Sequence, residues 1–203
     1  MFIERSPIQK SRKPKTLIYG VGNNDATYAT SIYTPEGKKI HCPYFSVWKN
    51  MLRRCYSPEC HQRQPTYKGC SVVKEWHTFS VFKTWMKSQD WKNKELDKDL
   101  LVYGNKVYGP KTCVFLTREL NALLVLRGNA RGDFPLGVSK TSGNRNKQFI
   151  AQLRSGGKQK ILGYFHTPEE AAETYKTAKL KHISNLAENE ANLRIKEALL
   201  RLH

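Results

Sequence analysis

A chain of 203 residues allows one large domain or two small ones, and a hydrophobic fraction of 39% supports compact cores but not a membrane protein. No apolar run approaches the roughly 20 residues that cross a bilayer. Met1 to Lys15 holds charges and Pro14 rather than a signal-peptide core, so the expectation is a cytoplasmic protein that is not secreted.

Thirty-five Lys and Arg against seventeen Asp and Glu give a formal charge of +18. Residues 1–126 carry twenty-one basic and ten acidic side chains, and residues 127–203 carry fourteen and seven. An excess spread along the chain points to a polyanionic partner, with double-stranded DNA the first expectation. Five cysteines (Cys42, Cys55, Cys60, Cys70, Cys113) form an odd number without a Cys-x-x-Cys pair, which argues against a disulfide framework and against a structural zinc loop. Reduced, buried thiols are expected.

Residues 1–40 read as a basic N-terminal arm, with Ser11-Arg12-Lys13-Pro14-Lys15 extended and Gly20 and Gly22 marking turns. From Pro43, the apolar residues Val47, Trp48, Met51, Leu52 and Cys55 recur at helical spacing, and Ser57-Pro58 ends that helix. A second helix is predicted from about Lys74 to Ser88, with Trp76, Phe79, Phe82 and Met86 as core. Glu95 to Asn121 then reads as strand, loop, strand and short helix, the loop rich in Gly, Asn and Pro.

Over residues 41–126 the chain resembles the HNH (His-Me finger) nucleases of the phage and intron homing type. The resemblance rests on Trp48, Arg54-Cys55-Tyr56, Glu75-Trp76, Phe79, Phe82, then Leu96-Asp97-x-Asp99, Gly104-Asn105, Tyr108-x-Pro110 and Cys113. It implies a ββα unit with flanking helices and a DNA endonuclease that uses Mg²⁺ or another divalent cation. Asp97 and Asn121 would hold the metal, and Asp97, Lys98, Asn105 and Asn121 would be the catalytic set. Lys98 occupies the place of the usual water-activating His, and Thr112 that of a loop-bracing Asn. A lysine beside two carboxylates stays charged and makes a poor general base. Two readings therefore follow: a nuclease with an altered base, or a DNA-binding protein that has lost cleavage and acts as a regulator or inhibitor. A charged hairpin, with Asp97 and Asp99 paired to Lys98 and Lys106, is the structural alternative.

Residues 127–132 have linker composition. Residues 133–186 resemble the DNA-binding domain of the plant Apetala and ethylene-response-factor type, through Gly137-Val138, Phe149-x-Ala151-x-Leu153, Gly157-Lys158, Leu162-Gly163-x-Phe165 and Thr167-Pro168-Glu169-Glu170-Ala171-Ala172. The residues alone predict three short strands and a helix. Phe149, Ala151 and Leu153 alternate onto one face, while Thr167, Pro168 and Glu170 make a capped helix start. The fold class is thus α+β, an HNH-like ββα unit followed by a three-stranded antiparallel sheet packed on a helix.

The opposite strand face carries Ile150, Gln152 and Arg154, flanked by Lys140, Arg145, Lys147, Lys158 and Lys160. The resemblance implies that this face enters a major groove, with Arg145, Gln152 and Arg154 at base edges and the lysines on phosphates. Residues 187–203 are expected to form a last helix that docks on its own domain or mediates dimerisation. The oligomeric state is left between monomer and weak dimer.

Overall fold

The computed structural model describes residues 2–5, 16–124, 133–142 and 146–202. The basic stretch 11–15, the expected linker 127–132 and Arg145 lie outside the described residues. The chain is mixed α and β and divides into two compact units, Met1–Phe115 and Leu116–His203.

In the first unit, strands β1 (Ser31–Tyr33) and β2 (Lys39–His41) form an antiparallel hairpin ahead of helix α1 (Pro43–Tyr56). Pro43 suits the first helical turn, where its missing N–H costs nothing, and Arg53 and Arg54 complement the carbonyl end. The predicted apolar stripe is buried through Trp48, Met51, Leu52 and Cys55, joined by Phe45. Ser57 then caps helix α2 (Pro58–Arg63), its hydroxyl accepting from the Cys60 amide at 3.3 Å.

The predicted helix over 74–88 is interrupted. A 3-10 turn covers Lys74–His77 and helix α3 covers Phe79–Lys87, with the break at Thr78. The cause is a backbone inserted from the arm: the Asn23 amide donates to the His77 carbonyl at 2.8 Å, and the Phe79 amide donates to the Asn23 carbonyl at 3.0 Å. Residues 16–40, read from sequence as part of an arm, therefore belong to this unit's packing. A Cβ at Gly22 would stand 2.4 Å from Leu52 Cδ1, which shows how closely this backbone lies on α1. The core itself is aromatic. The Trp48 indole donates to the Trp76 carbonyl at 2.7 Å, and Phe45, Phe79, Phe82 and Trp85 surround the pair. Each such ring contributes about 1.5–3 kcal/mol by leaving water.

Strand β3 (Ser71–Val72) pairs in parallel with β5 (Val107–Tyr108), and β4 (Lys94–Asp97) pairs with β6 (Val114–Thr117). The expected order of strand, loop and strand is present, but the loop contains β5, which is bonded to β3. Helix α4 (Arg118–Leu124) follows β6 and falls in the second unit.

That unit is built on the antiparallel sheet β7 (Val138–Lys140), β8 (Phe149–Ser155) and β9 (Lys158–Phe165). Gly156 and Gly157, at φ +60° and +75°, make the two-residue turn that joins β8 to β9. Helix α5 (Pro168–Glu188) packs on the sheet through Ala171 and Tyr175, above Ala151 and Leu153. Thr167 caps it, accepting from the Glu170 amide at 3.2 Å, and the Glu170 carboxylate accepts from the His166 amide at 3.2 Å. Gly137 sits at φ +77° with the Tyr175 ring 2.0 Å from where a Cβ would be, so no other residue fits.

The helix expected over 187–203 is shorter. The first long helix runs to Glu188, and α6 (Leu193–Leu200) starts under an Asn192 cap and docks on α5 through Ile195, Ala198 and Leu199. Among the described residues, no helix is long and apolar enough to cross a membrane.

Candidate nucleic-acid interface

The loop after β4 is fastened by the residues that the nuclease resemblance singled out. Lys98 is buried, 6% exposed, and its ammonium pairs with the Asp99 carboxylate and donates to the Asn105 carbonyl at 2.8 Å. Asn105 returns the contact. Its Nδ2 donates to the Lys98 carbonyl at 2.8 Å and to the Val107 carbonyl at 2.7 Å, while its Oδ1 accepts from the Val107 amide at 3.1 Å. Thr112 Oγ1 donates to the same Val107 carbonyl at 2.7 Å. Asn105 and Thr112 together thus do the bracing that the resemblance assigned to a single Asn at position 112.

Asp97 ends β4, and its Oδ1 accepts from the amides of Asp99 (3.0 Å) and Leu100 (2.8 Å). Burial pushes its carboxyl above the usual Asp range, with the Asp99 charge adding to the effect and the two amides and Lys98 opposing it. Asp99 lies beyond the strand, in the turn, so strict strand alternation does not govern its direction. Asp97, Lys98 and Asn105 are brought together in the first unit, whereas Asn121 stands on α4 in the second.

Two upstream histidines, His61 and His77, are engaged elsewhere. His61 Nε2 lies 2.9 Å from the Arg54 carbonyl, and His77 Nε2 lies 3.3 Å from the Tyr56 hydroxyl and 3.2 Å from the Val72 carbonyl. Among the described residues, no group of three or more His, Cys, Asp and Glu is placed to hold a metal ion. Around Asp97 stand one partly engaged carboxylate and a buried ammonium, a set that does not by itself fit Mg²⁺, which takes oxygen ligands and is repelled by a neighbouring cation. The five cysteines are free and buried.

The second unit presents a different surface. Cross-strand partners share a face, and the register pairs Ser139 with Ile150, Ile150 with Tyr164, Gln152 with Ile161 and Arg154 with Gln159. The face turned away from Ala151 and Leu153 therefore carries Ser139, Gln152, Arg154, Gln159, Ile161 and Tyr164. Gln152 Nε2 donates to Ser139 Oγ at 2.7 Å, and its Oε1 accepts from Gln159 Nε2 at 3.3 Å, so three polar side chains form one bonded row. Arg154 and Gln159 are exposed, as is Ile161 at 57%.

Ile150 lies on this face yet is buried, flanked by Ser139 and Tyr164 on the adjacent strands. Of the expected flanking lysines, Lys140 pairs with Phe149 and Lys160 with Leu153, which by register places them on the α5 side, and Lys158 pairs with Ser155. Lys147 is exposed just before β8.

Gln159, Ile161 and Arg118 were not singled out from sequence. The alternation of β9 was the available signal for the first two. For Arg118 there was none, since it depends on α4 lying beside the hairpin. Glu119 fixes that position, accepting from the Gly156 amide at 2.7 Å and lying 3.0 Å from His182 Nε2. Those bonds, the Gly156 amide first, hold the Glu119 carboxyl below its usual range. A cleft of about 530 Å³ results, lined by Arg118, Ala122, Gln152, Leu153, Arg154 and Gln159 among others.

Comparisons with protein-family models, curated proteins and solved structures give no match for this chain.

Proposed function

We propose that this is a double-stranded DNA-binding protein that reads the duplex with the open face of its β7-β8-β9 sheet. The observation that supports this most is the row of exposed Arg154 and Gln159 with half-buried Gln152 on one face of the three-stranded sheet, in a chain of formal charge +18. Arginine and glutamine amides are the side chains that pair bidentately with base edges, and a sheet of this size fits a major groove. The phosphate contacts fall to exposed Lys147 and to Arg118, which lines the cleft.

On this reading Lys98 serves as a buried tether rather than a base, and the protein acts as a regulator or inhibitor by occupying DNA. A second reading, metal-dependent cleavage at the β4 loop, rests on the desolvated carboxylate of Asp97 and would need further oxygen ligands from the DNA or water.

One experiment addresses both. Binding to short duplexes is followed by fluorescence anisotropy across a salt series for the wild type and Arg154→Ala, and supercoiled plasmid is incubated with Mg²⁺ or EDTA alongside Asp97→Asn. Salt-sensitive binding weakened by Arg154→Ala, without nicking, is the expected result. Mg²⁺-dependent nicking lost in Asp97→Asn would replace the first reading by the second, and salt-insensitive or absent binding would reject both.

A further inference from the structure

The loop between β4 and β5 exposes apolar side chains at its tip. Val102 is 49% exposed and Tyr103 is 92% exposed, following Leu100 and Leu101. The base of the same loop is held at several points: Asp97 Oδ1 takes two backbone amides, the Lys98 ammonium takes Asp99 and the Asn105 carbonyl, and Asn105 Nδ2 takes the carbonyls of Lys98 and Val107. Gly104, at φ +70°, turns the chain back. A water-exposed tyrosine and valine gain nothing from folding, and a bonded loop base means that the ordering cost of presenting them is met before any partner arrives.

We propose that Val102 and Tyr103 form a wedge that inserts into bound DNA, with Tyr103 stacked on a base at an opened step and Val102 packed beside it. This rests on the DNA-binding reading above and adds a second contact, in the first unit. Charge and size select the occupant. The first unit carries twenty Lys and Arg against nine Asp and Glu, the carboxylate of Asp99 is matched by Lys98, and Lys106 and Lys111 follow, exposed, in the same segment. Two side chains are far too few for a stable protein interface, which needs about 800 Å² on each partner. They suffice for nucleic acid, where one aromatic stacked on one base changes affinity by roughly 5- to 100-fold and apolar wedges open base steps.

The test uses the full chain with duplexes selected from a random pool, carrying 2-aminopurine at successive positions. The expected result is a fluorescence rise at one position in the wild-type complex that disappears in Tyr103→Ala. That variant should bind about 5- to 100-fold more weakly with an unchanged salt slope, because no phosphate contact is removed. Tyr103→Trp should restore both signals. Equal affinity and equal 2-aminopurine response in wild type and Tyr103→Ala would overturn the wedge. So would a concentration-dependent dimer that Tyr103→Ala abolishes while DNA affinity is retained, since the tip would then bind a second copy. If the wild type bound no duplex at low salt, the DNA-binding reading would fail first and take the wedge with it.

Discussion

The β4 loop and the β7-β8-β9 sheet use the same kinds of side chain in opposite senses. In the first, a cation and an amide, Lys98 and Asn105, are turned onto backbone carbonyls and hold a loop in place. In the second, a cation and two amides, Arg154, Gln152 and Gln159, stand on an open face, and the amides bond to one another and to Ser139 rather than to the chain's own loops. The carboxylates diverge in parallel: burial raises Asp97, while the Gly156 amide and His182 lower Glu119. A residue's type and its place in a motif therefore do not fix its role. What fixes it is whether nearby backbone groups need a partner.

Five substitutions test that contrast. The largest effect is expected from Gly137→Ala, which forces φ +77° on a residue with a Cβ and drives that Cβ into the Tyr175 ring. A loss of more than about 3 kcal/mol in the second unit should follow, visible as an early transition in thermal circular dichroism. Lys98→Met keeps the aliphatic stem but leaves the Asn105 carbonyl unpaired, and should cost about 1–3 kcal/mol in urea unfolding. Arg154→Met, by contrast, should stay within about 0.5 kcal/mol in the same assay and weaken duplex binding about tenfold. If these two variants exchanged phenotypes, the contrast would be broken.

Smaller effects come from pH. The folded state holds the Asp97 proton more tightly than the unfolded chain does, so this group's contribution to stability falls as pH rises from the ordinary Asp range through its raised value. Asp97→Asn, which retains the Oδ1 acceptor, should flatten that part of the profile and leave neutral-pH stability equal or higher. Glu119 has the opposite sign: its contribution is present above the ordinary Glu range and is lost as pH falls through its depressed value. Glu119→Gln should remove that acid-side slope in stepwise-pH urea titrations.

Much of the architecture was legible because it is local. The α1 stripe, the Thr167 cap and the alternation of β8 each follow from residues within a few positions of one another, and the aromatic core follows from burial preference. What was hidden depends on distant partners. The break at Thr78 comes from Asn23, the β3-β5 pair joins Ser71 to Val107, and Glu119 reaches Gly156 and His182. Lys98 is the sharpest case. Its neighbours in sequence suggested a lysine kept charged beside carboxylates, and Asp99 does pair with it, but only the return of the loop at Asn105 supplies the carbonyl that makes its burial tolerable.

The distribution of sulfur gives the chain a built-in stopwatch. All five cysteines are free, buried and confined to the first unit, while the sequence after Phe115 contains none. Burial pushes the Cys55 and Cys113 thiols up to about 12, so in the closed state the reactive thiolate is a trace species at neutral pH. Alkylation of Cys55 and Cys113 must wait for that unit to open, and the rate at which mass is added there then times the opening of one half of the molecule while the other half stays silent.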